Sequence, residues 1–406
     1  MAKPGNLAPK YSQRVEIMVA TALTGLNIWN GEKKVAEDSI VFEGSKISSI
    51  CFKDDVPNQA QEISCGGATA LPGLIDAHVH MELDPNHTRP PEQTDLNQRP
   101  LMKERAKKMV EAGITTARDL GGGAWLEIEL RNLIDEGAVL GPRLLCAGQP
   151  ITCINGHCHF WGGEVADFQM AKAIIQRQIE HGADLIKIMA TGGRMTKGSS
   201  PMDTQFDLNT LLSMVEEAKS HNRPVAAHCH GTAGIEMAAR AGVSTIEHCS
   251  WVGKEGWGSD FQLDVARVIA KEGAWVSPTI NKGWQRMLDN DDKTLAKRLK
   301  EIYQSMNALE IPLIASTDAG IPGVFHHHLP QALLVFSKLT GLGKENTLKS
   351  ATSLAASAIG LAGSTGRLVA GFDADILLVD GDPTKDLQAL ESPVGVWTRG
   401  TTVRMP

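Results

Sequence analysis

Several things this sequence lacks narrow its reading before any motif is considered. No Cys-x-x-Cys occurs, and the seven cysteines (Cys51, Cys65, Cys146, Cys153, Cys158, Cys229 and Cys249) are scattered and odd in number. That pattern excludes a disulfide framework and fits free, mostly buried thiols in a reducing compartment, so a cytoplasmic protein is expected. No apolar run is long enough to span a bilayer; the N-terminal stretch 17–26 falls well short of the roughly 20 residues required. Lys3, Lys10 and Arg14 precede it, as in a signal peptide. Glu16 abuts it, however, Thr21 and Thr24 interrupt it and no small-x-small cleavage site follows, so it reads as a first β-strand. Basic charge is not in excess: the formal net charge is -7, which argues against a nucleic-acid partner. No internal repeat or low-complexity segment is evident.

What is present suits a soluble globular chain, with 42% hydrophobic and 21% charged residues. Its 406 residues allow one large domain of about 250–300 residues and a smaller one. Residues 14–66 read as short strands broken at turns such as Asn30-Gly31 and Glu43-Gly44. From Leu71 the pattern changes to strands alternating with helices. Eight strand-like segments follow, at 71–80, 114–119, 143–147, 183–189, 224–230, 243–248, 274–279 and 311–318. Helix-period segments such as 208–221 and 264–272 lie between them, and several stop at a glycine (Gly113, Gly182, Gly242, Gly273). Eight βα units predict an α/β fold, a TIM-like (β/α)₈ barrel. A doubly wound open sheet is the alternative, but no Gly-rich dinucleotide turn follows any strand. After about residue 366 the chain is β-rich again. The expected organisation is a barrel over 69–365, with 1–68 and 366–406 forming one split β-sandwich domain.

The chemistry gathers at strand ends. Leu71-Pro72-Gly73-Leu74-Ile75-Asp76-Ala77-His78-Val79-His80 finishes on two histidines two residues apart. In a strand such residues share a face, so the pair makes a metal half-site. Later strands carry Lys187, His228 and His230, His248, and Asp318. In a barrel these C-terminal ends form one rim, and His and Asp from four strands are zinc-type ligands. His230 shares its face with His228 and is a rival ligand. Lys187 lies in an apolar strand, where an unpaired ammonium is costly. Either CO₂ converts it to a carbamate, or it pairs with Asp318 or another acid.

This combination resembles the amidohydrolase superfamily, and within it the imidazolonepropionase-related branch of prolidases, other Xaa-amino-acid dipeptidases and ochratoxin-type amidases. Further similar phrases are Gly113-Ile114-Thr115-Thr116-Ala117-Arg118-Asp119, Thr245-Ile246-Glu247-His248, Ser316-Thr317-Asp318-Ala319-Gly320 and Gly371-Phe372-Asp373-Ala374-Asp375-Ile376. The resemblance implies a binuclear centre of two divalent ions, usually zinc. His78, His80 and Asp318 would hold one ion, and His228 and His248 the other. A CO₂-derived carbamate on Lys187 would bridge both, together with a hydroxide. Asp318 would be the catalytic residue, taking the proton from that hydroxide and delivering it to the leaving amine. The resemblance also implies substrate-binding roles for His230 and for His157, which sits in Asn155-Gly156-His157.

Three places depart from the branch, the last being the run 325–328. Arg194 follows Thr191-Gly192-Gly193 where an apolar residue is common; pointing into the site, its fork would suit a substrate carboxylate, and a solvated loop arginine is the alternative. Gly231 removes a bulky side chain, which argues against strict proline specificity. The run Phe325-His326-His327-His328 reads as solvated. The expectation is hydrolysis of an amide or peptide bond in a small N-acyl amino acid or dipeptide. A urea, carbamate or cyclic amide is the alternative, and a catalytically silent binding protein is a remote one, since all six ligand positions are filled. The partners expected are a small-molecule substrate and further copies of the chain, with no nucleic acid and no membrane.

Overall fold

The computed structural model describes residues 19–87, 95–289 and 293–406, so residues 1–18 of the expected first β segment lie outside the described residues. The chain opens with β1 (Thr21–Thr24), β2 (Asn27–Ile28), β3 (Ser39–Glu43), β4 (Lys46–Cys51), β5 (Gln61–Ser64) and β6 (Thr69–Pro72). It closes with β16 (Ile376–Val379), β17 (Pro393–Thr398) and β18 (Thr401–Arg404). One sheet has the order β4-β3-β1-β5, and a second has β18-β17-β16-β6-β2. In the second, β16 runs antiparallel to both β6 and β17, so the tail is woven into the start of the chain. The two sheets share an apolar core that includes Leu23, Ile40, Phe42, Ala70, Ile376, Leu378 and Trp397. The final β segment was legible as the completion of this layer.

Between these ends lie β7 (Leu74–Val79), β8 (Ile114–Asp119), β9 (Arg143–Cys146), a short pair β10 (Thr152–Cys153) and β11 (Glu164–Val165), and then β12 (Ile186–Met189), β13 (Val225–Gly231), β14 (Thr245–Val252) and β15 (Trp275–Ser277). The sequence 71–80, expected as one strand, is divided. Its first part, β6, belongs to the second layer sheet, and its second part opens a parallel array. Gly73 makes the break: its N–H donates to Asp375 O at 3.0 Å, and a Cβ there would overlap the Thr115 side chain.

The array consists of two parallel sheets in chain order, β7-β8-β9 and β12-β13-β14-β15. A doubly wound sheet would reverse its order; this one does not. At one edge Asp184 N donates to Cys146 O at 2.8 Å, and Ile151 bridges Ile188. At the other edge the expected eighth strand, 311–318, forms isolated parallel bridges rather than a continuous ladder, Leu313 to Val276 and the following Ala319 to Val79. Its backbone still bonds both neighbours: Ile314 N donates to Val276 O at 2.9 Å and Asp318 N to His78 O at 2.9 Å. Side chains add to these bonds. Asp76 accepts from Thr317 N (3.1 Å) and Thr317 Oγ1 (2.6 Å), and Ser316 Oγ accepts from Thr279 N at 3.1 Å. Pro312 has no N–H to offer a ladder.

Helices alternate with these strands: α1 (Arg99–Glu111), α2 (Leu126–Asp135), α3 (Phe168–Glu180), α4 (Leu208–Ser220), α5 (Thr232–Ala241), α6 (Leu263–Glu272), α7 (Gln285–Asp289), α8 (Lys293–Ala308), α9 (Leu329–Thr340), α10 (Lys344–Ser350) and α11 (Ser353–Ala358). Helix α4 shows why they form. Asp207 caps it by accepting from Thr210 N at 2.7 Å, and Leu211, Met214, Val215 and Ala218 bury one face at helical spacing. Helices α5 and α6 stop at Gly242 and Gly273, both at φ 74°, a left-handed C-cap that glycine takes without strain. Their inner faces pack with Ile186, Ile188, Ala227, Ile246 and Val276 in one core. No helix among the described residues is long and apolar enough to cross a membrane.

Glu127, in the first turn of α2, is fully buried, and neither carboxylate oxygen has a hydrogen-bond partner among the described residues. Burial, with Asp119 and Glu82 nearby, holds its pKa well above the usual carboxylate range. The folded state therefore keeps a proton that the unfolded chain gives up, and stability falls as pH rises above the ordinary carboxylate value. Glu127→Gln removes this titration. Its stability advantage over wild type should widen from about pH 5 to about pH 8 in urea unfolding, by up to about 1.4 kcal/mol per pH unit. A gap independent of pH would contradict the buried neutral acid.

Candidate active site

The strand ends deliver two groups of ligand atoms. His78 and His80 leave the end of β7 on one face, and the chain after Thr317 carries Asp318 to meet them. His78 Nε2 lies 3.3 Å from His80 Nε2 and 3.3 Å from Asp318 Oδ1, with His80 Nε2 at 3.5 Å from the same oxygen. Tetrahedral zinc with bonds of about 2.0–2.1 Å would set neighbouring ligands about 3.3–3.4 Å apart. The other nitrogen of each ring is engaged: His78 Nδ1 with Glu247 Oε2 at 2.9 Å and His80 Nδ1 with Gly121 O at 2.8 Å. Both partners only accept, so each Nδ1 carries a hydrogen, and in the neutral rings that metal ligation needs each Nε2 turns a lone pair to the common point. Against the downward pull of burial, Asp318 favours a positive charge at His80 and raises its pKa. A metal ion at that point would supply such a charge, so the donor set fits a metal ion.

The second group is His228, His230 and His248, whose ligand nitrogens lie within 4.8 Å of one another. His228 Nε2 donates to Gly192 O at 3.1 Å, leaving Nδ1 free. His248 Nδ1 meets Thr279 Oγ1 at 2.9 Å and His230 Nδ1 meets Ser250 Oγ at 3.0 Å, leaving both Nε2 atoms available. Burial pushes the pKa of His228 and His248 well below the ordinary value, so both rings are neutral, as metal ligation requires. His248, Thr279 and Asp318 all sit at positive φ (65°, 52° and 60°), a conformation that costs non-glycine residues about 1–3 kcal/mol each and clusters at functional sites.

Lys187 projects from β12 between the groups, buried, with no hydrogen bond or ion pair among the described residues. The expected alternative of a close acid partner is not found. Burial lowers its pKa, against the pull of Glu247 and Asp318. For Asp318 itself burial acts upward, but His78, His80 and Lys187 prevail and hold it at about 2, so it is an anion at neutral pH.

One cavity of about 280 Å³ brings together every expected site residue: His78, His80, His157, Lys187, Arg194, His228, His230, His248 and Asp318. His157 is buried with its ring 4.7 Å from that of His228, and its Nδ1 has no hydrogen-bond partner among the described residues. Arg194 is exposed, its guanidinium 5.3 Å from the centre of the Trp257 ring, and it makes no ion pair among the described residues. Trp161, Trp257, Trp284, Met189, Met195 and Ile321 supply apolar wall. The histidine run after residue 325 is not solvated throughout. His326 is buried and its Nε2 bonds His80 O at 3.0 Å, because the loop after Asp318 folds back onto the end of β7. His327 and His328 are half-buried.

Three charged residues beside the site were not singled out from sequence: Asp76, Arg118 and Glu247, all buried. Their signal was the one that exposed Lys187, a charge inside an apolar strand. The tryptophans come from loops and had no such signal.

Residues 69–403 match the model of the Amidohydrolase family, and the chain belongs to that family. It is a hydrolase of carbon–nitrogen bonds. The ochratoxinase of Aspergillus niger is 24% identical over 436 residues, covering 96% of this chain and 88% of that one. The imidazolonepropionase of Photobacterium profundum is 22% identical over 400 residues, covering 89% of each. Among solved structures, a Xaa-Pro dipeptidase with methionine bound in its active site superposes with a TM-score of 0.83 at 24% identity, over 94% of this chain and 99% of that one.

A Cβ at Gly193 would fall on the His157 ring. Gly193→Ala should therefore displace His157 and lower kcat/KM by about tenfold or more, with an unchanged far-UV circular dichroism spectrum. Full activity would show that the position of His157 is irrelevant to turnover.

Proposed function

We propose that this chain hydrolyses an amide or peptide bond in a small N-acyl amino acid or dipeptide, at a site for two divalent ions, zinc by the donor set. The single observation that carries the substrate class is Arg194, a guanidinium without an ion pair among the described residues, in the wall of the cavity that brings both candidate ligand groups together. The parallel strands, closed by residues 311–319, read as a (β/α)₈ barrel over 69–365. Residues 19–68 and 366–406 read as the β-sandwich domain beside it, with β6 reaching in from the barrel segment.

His78, His80 and Asp318 would hold one ion, and His228 and His248 the other. When bound, the two cations polarise a carbonyl and make a shared water acidic enough to attack at neutral pH. Lys187 would contribute to holding the ions: as a neutral amine its nitrogen could add to CO₂ and release a proton, replacing an ammonium that burial disfavours with a carbamate anion. Asp318 accepts a proton at a carboxylate oxygen as water attacks, then returns it to the departing nitrogen as the C–N bond breaks. His157 and His230 present neutral rings to the carbonyl end of the substrate. Trp257 holds the Arg194 guanidinium over its face, so the fork is oriented before a carboxylate arrives. The tryptophan and methionine walls exclude water and accept an apolar side chain.

The test is a turnover screen of zinc-loaded protein with Xaa-Xaa dipeptides and N-acyl amino acids beside ureas, carbamates and lactams. Hydrolysis is expected for compounds with a free carboxylate. Arg194→Ala should raise KM for these by about 10–100-fold with kcat little changed, the size of a lost charge-assisted pair. Activity confined to carboxylate-free ureas or carbamates would keep the metal chemistry and overturn the substrate class.

A further inference from the structure

We infer that Glu247 and Arg118 form a buried positioning pair that fixes the tautomer and orientation of His78, and through it the affinity of the first ion group. This rests on the metal-centre reading above and goes beyond it to residues that touch neither ion nor substrate. Both side chains are buried in the interior of the strand array. Glu247 shares the inward face of β14 with Thr245, whose hydroxyl donates to Glu247 Oε1 at 2.5 Å. Arg118, on β8, spans the remaining gap. Its Nη2 donates to Glu247 Oε1 at 2.8 Å, its Nη1 to Thr245 Oγ1 at 3.0 Å and its Nε to Ala77 O at 2.8 Å. Every one of these bonds leaves Glu247 Oε2 free for one partner, the His78 Nδ1–H at 2.9 Å.

The chemistry of the chain of contacts is directional. Arginine only donates and an ionised carboxylate only accepts, so the hydrogen on His78 must sit on Nδ1 and the lone pair on Nε2 must face His80 and Asp318. Arg118 supplies the positive charge without which a carboxylate at this depth would be unpaired. The guanidinium fork also ties β7, β8 and β14 together at the level of the site, so the carboxylate that orients the ring is itself held in place. The second group has no such support: His248 is held by the Thr279 hydroxyl and His228 by the Gly192 carbonyl. Loss of Glu247 should therefore act on one ion and not on the other, which a general loss of structure would not do.

Glu247→Gln tests this. The amide must either donate to His78, which moves the hydrogen to Nε2, or accept from it and turn its NH₂ toward Arg118. Zinc content after dialysis against a graded chelator series is the main readout, and the d–d spectrum of the cobalt(II)-loaded protein is the second. Wild type is expected to hold two ions. In Glu247→Gln the first is expected to weaken by about 10–100-fold, the range for lost support of a ligand, with the second retained and the cobalt spectrum altered. Two ions held with wild-type affinity and an unchanged spectrum would overturn the inference. Fewer than two ions in wild type would instead overturn the metal-centre reading on which it rests. Should the glutamine variant fail to fold, Glu247→Asp carries the same test. It keeps the charge opposite Arg118 but shortens the reach to His78, so weaker first-ion binding is expected and wild-type affinity would overturn the proposal.

Discussion

Lone pairs aimed at one another are the constraint on which this structure depends. His78, His80 and Asp318 turn an anion and two imidazole lone pairs onto a point that their spacing of 3.3–3.5 Å defines. In a buried site this arrangement is repulsive without a cation, and relaxation by rotating the rings is blocked from behind. Glu247 and the Gly121 carbonyl hold the far nitrogens, and Arg118 holds Glu247. By placing its hydrogen bonds on the far sides of these side chains, the fold leaves their near sides arranged as a metal could be held.

That commitment explains irregularities elsewhere. Residues 311–319 give up a regular ladder, and their polar groups bond Asp76 and neighbouring hydroxyls, which lets the backbone turn through φ 60° at Asp318 and aim its carboxylate at the two histidines. His248 and Thr279 are bent in the same way. These bent residues stand at the rim, and the strands below are held by continuous apolar packing between β12–β15 and the helices around them. Substrate recognition is then left to loops. Trp257 and Trp284 arrive from connections after β14 and β15, and Arg194 from the one after β12, so specificity can change without disturbing the ligands.

The residues that gather in the cavity were legible because chemistry interrupts pattern. A histidine pair ending an apolar strand and a lysine inside one are costly to a fold that makes no use of them, and glycines at helix ends mark where each strand begins. All sit where the alternation of strand and helix predicts. The division of 71–80 at Gly73 was not legible, since both halves are apolar and extended and only tertiary pairing separates them. Nor was the irregular pairing of the eighth segment, where the side chains of Asp76 and Ser316 bond the backbone beside its neighbours. His326 looked solvated because three histidines in a row carry no periodicity; the fold-back onto His80 buries it. Arg118 and Glu247 were within reach of the rule that found Lys187. Their partners were not, because contacts across an array of strands leave no local trace.

Zinc-edge anomalous diffraction from crystals of the zinc-loaded protein, grown with bicarbonate, bears on the binuclear site without reference to any substrate. Two anomalous peaks are predicted, one among His78, His80 and Asp318 and the other at His228 and His248, with density for a carboxyl group extending from Lys187 Nζ. A single peak, or two peaks with an unmodified Lys187 amine beside them, would contradict the bridged centre.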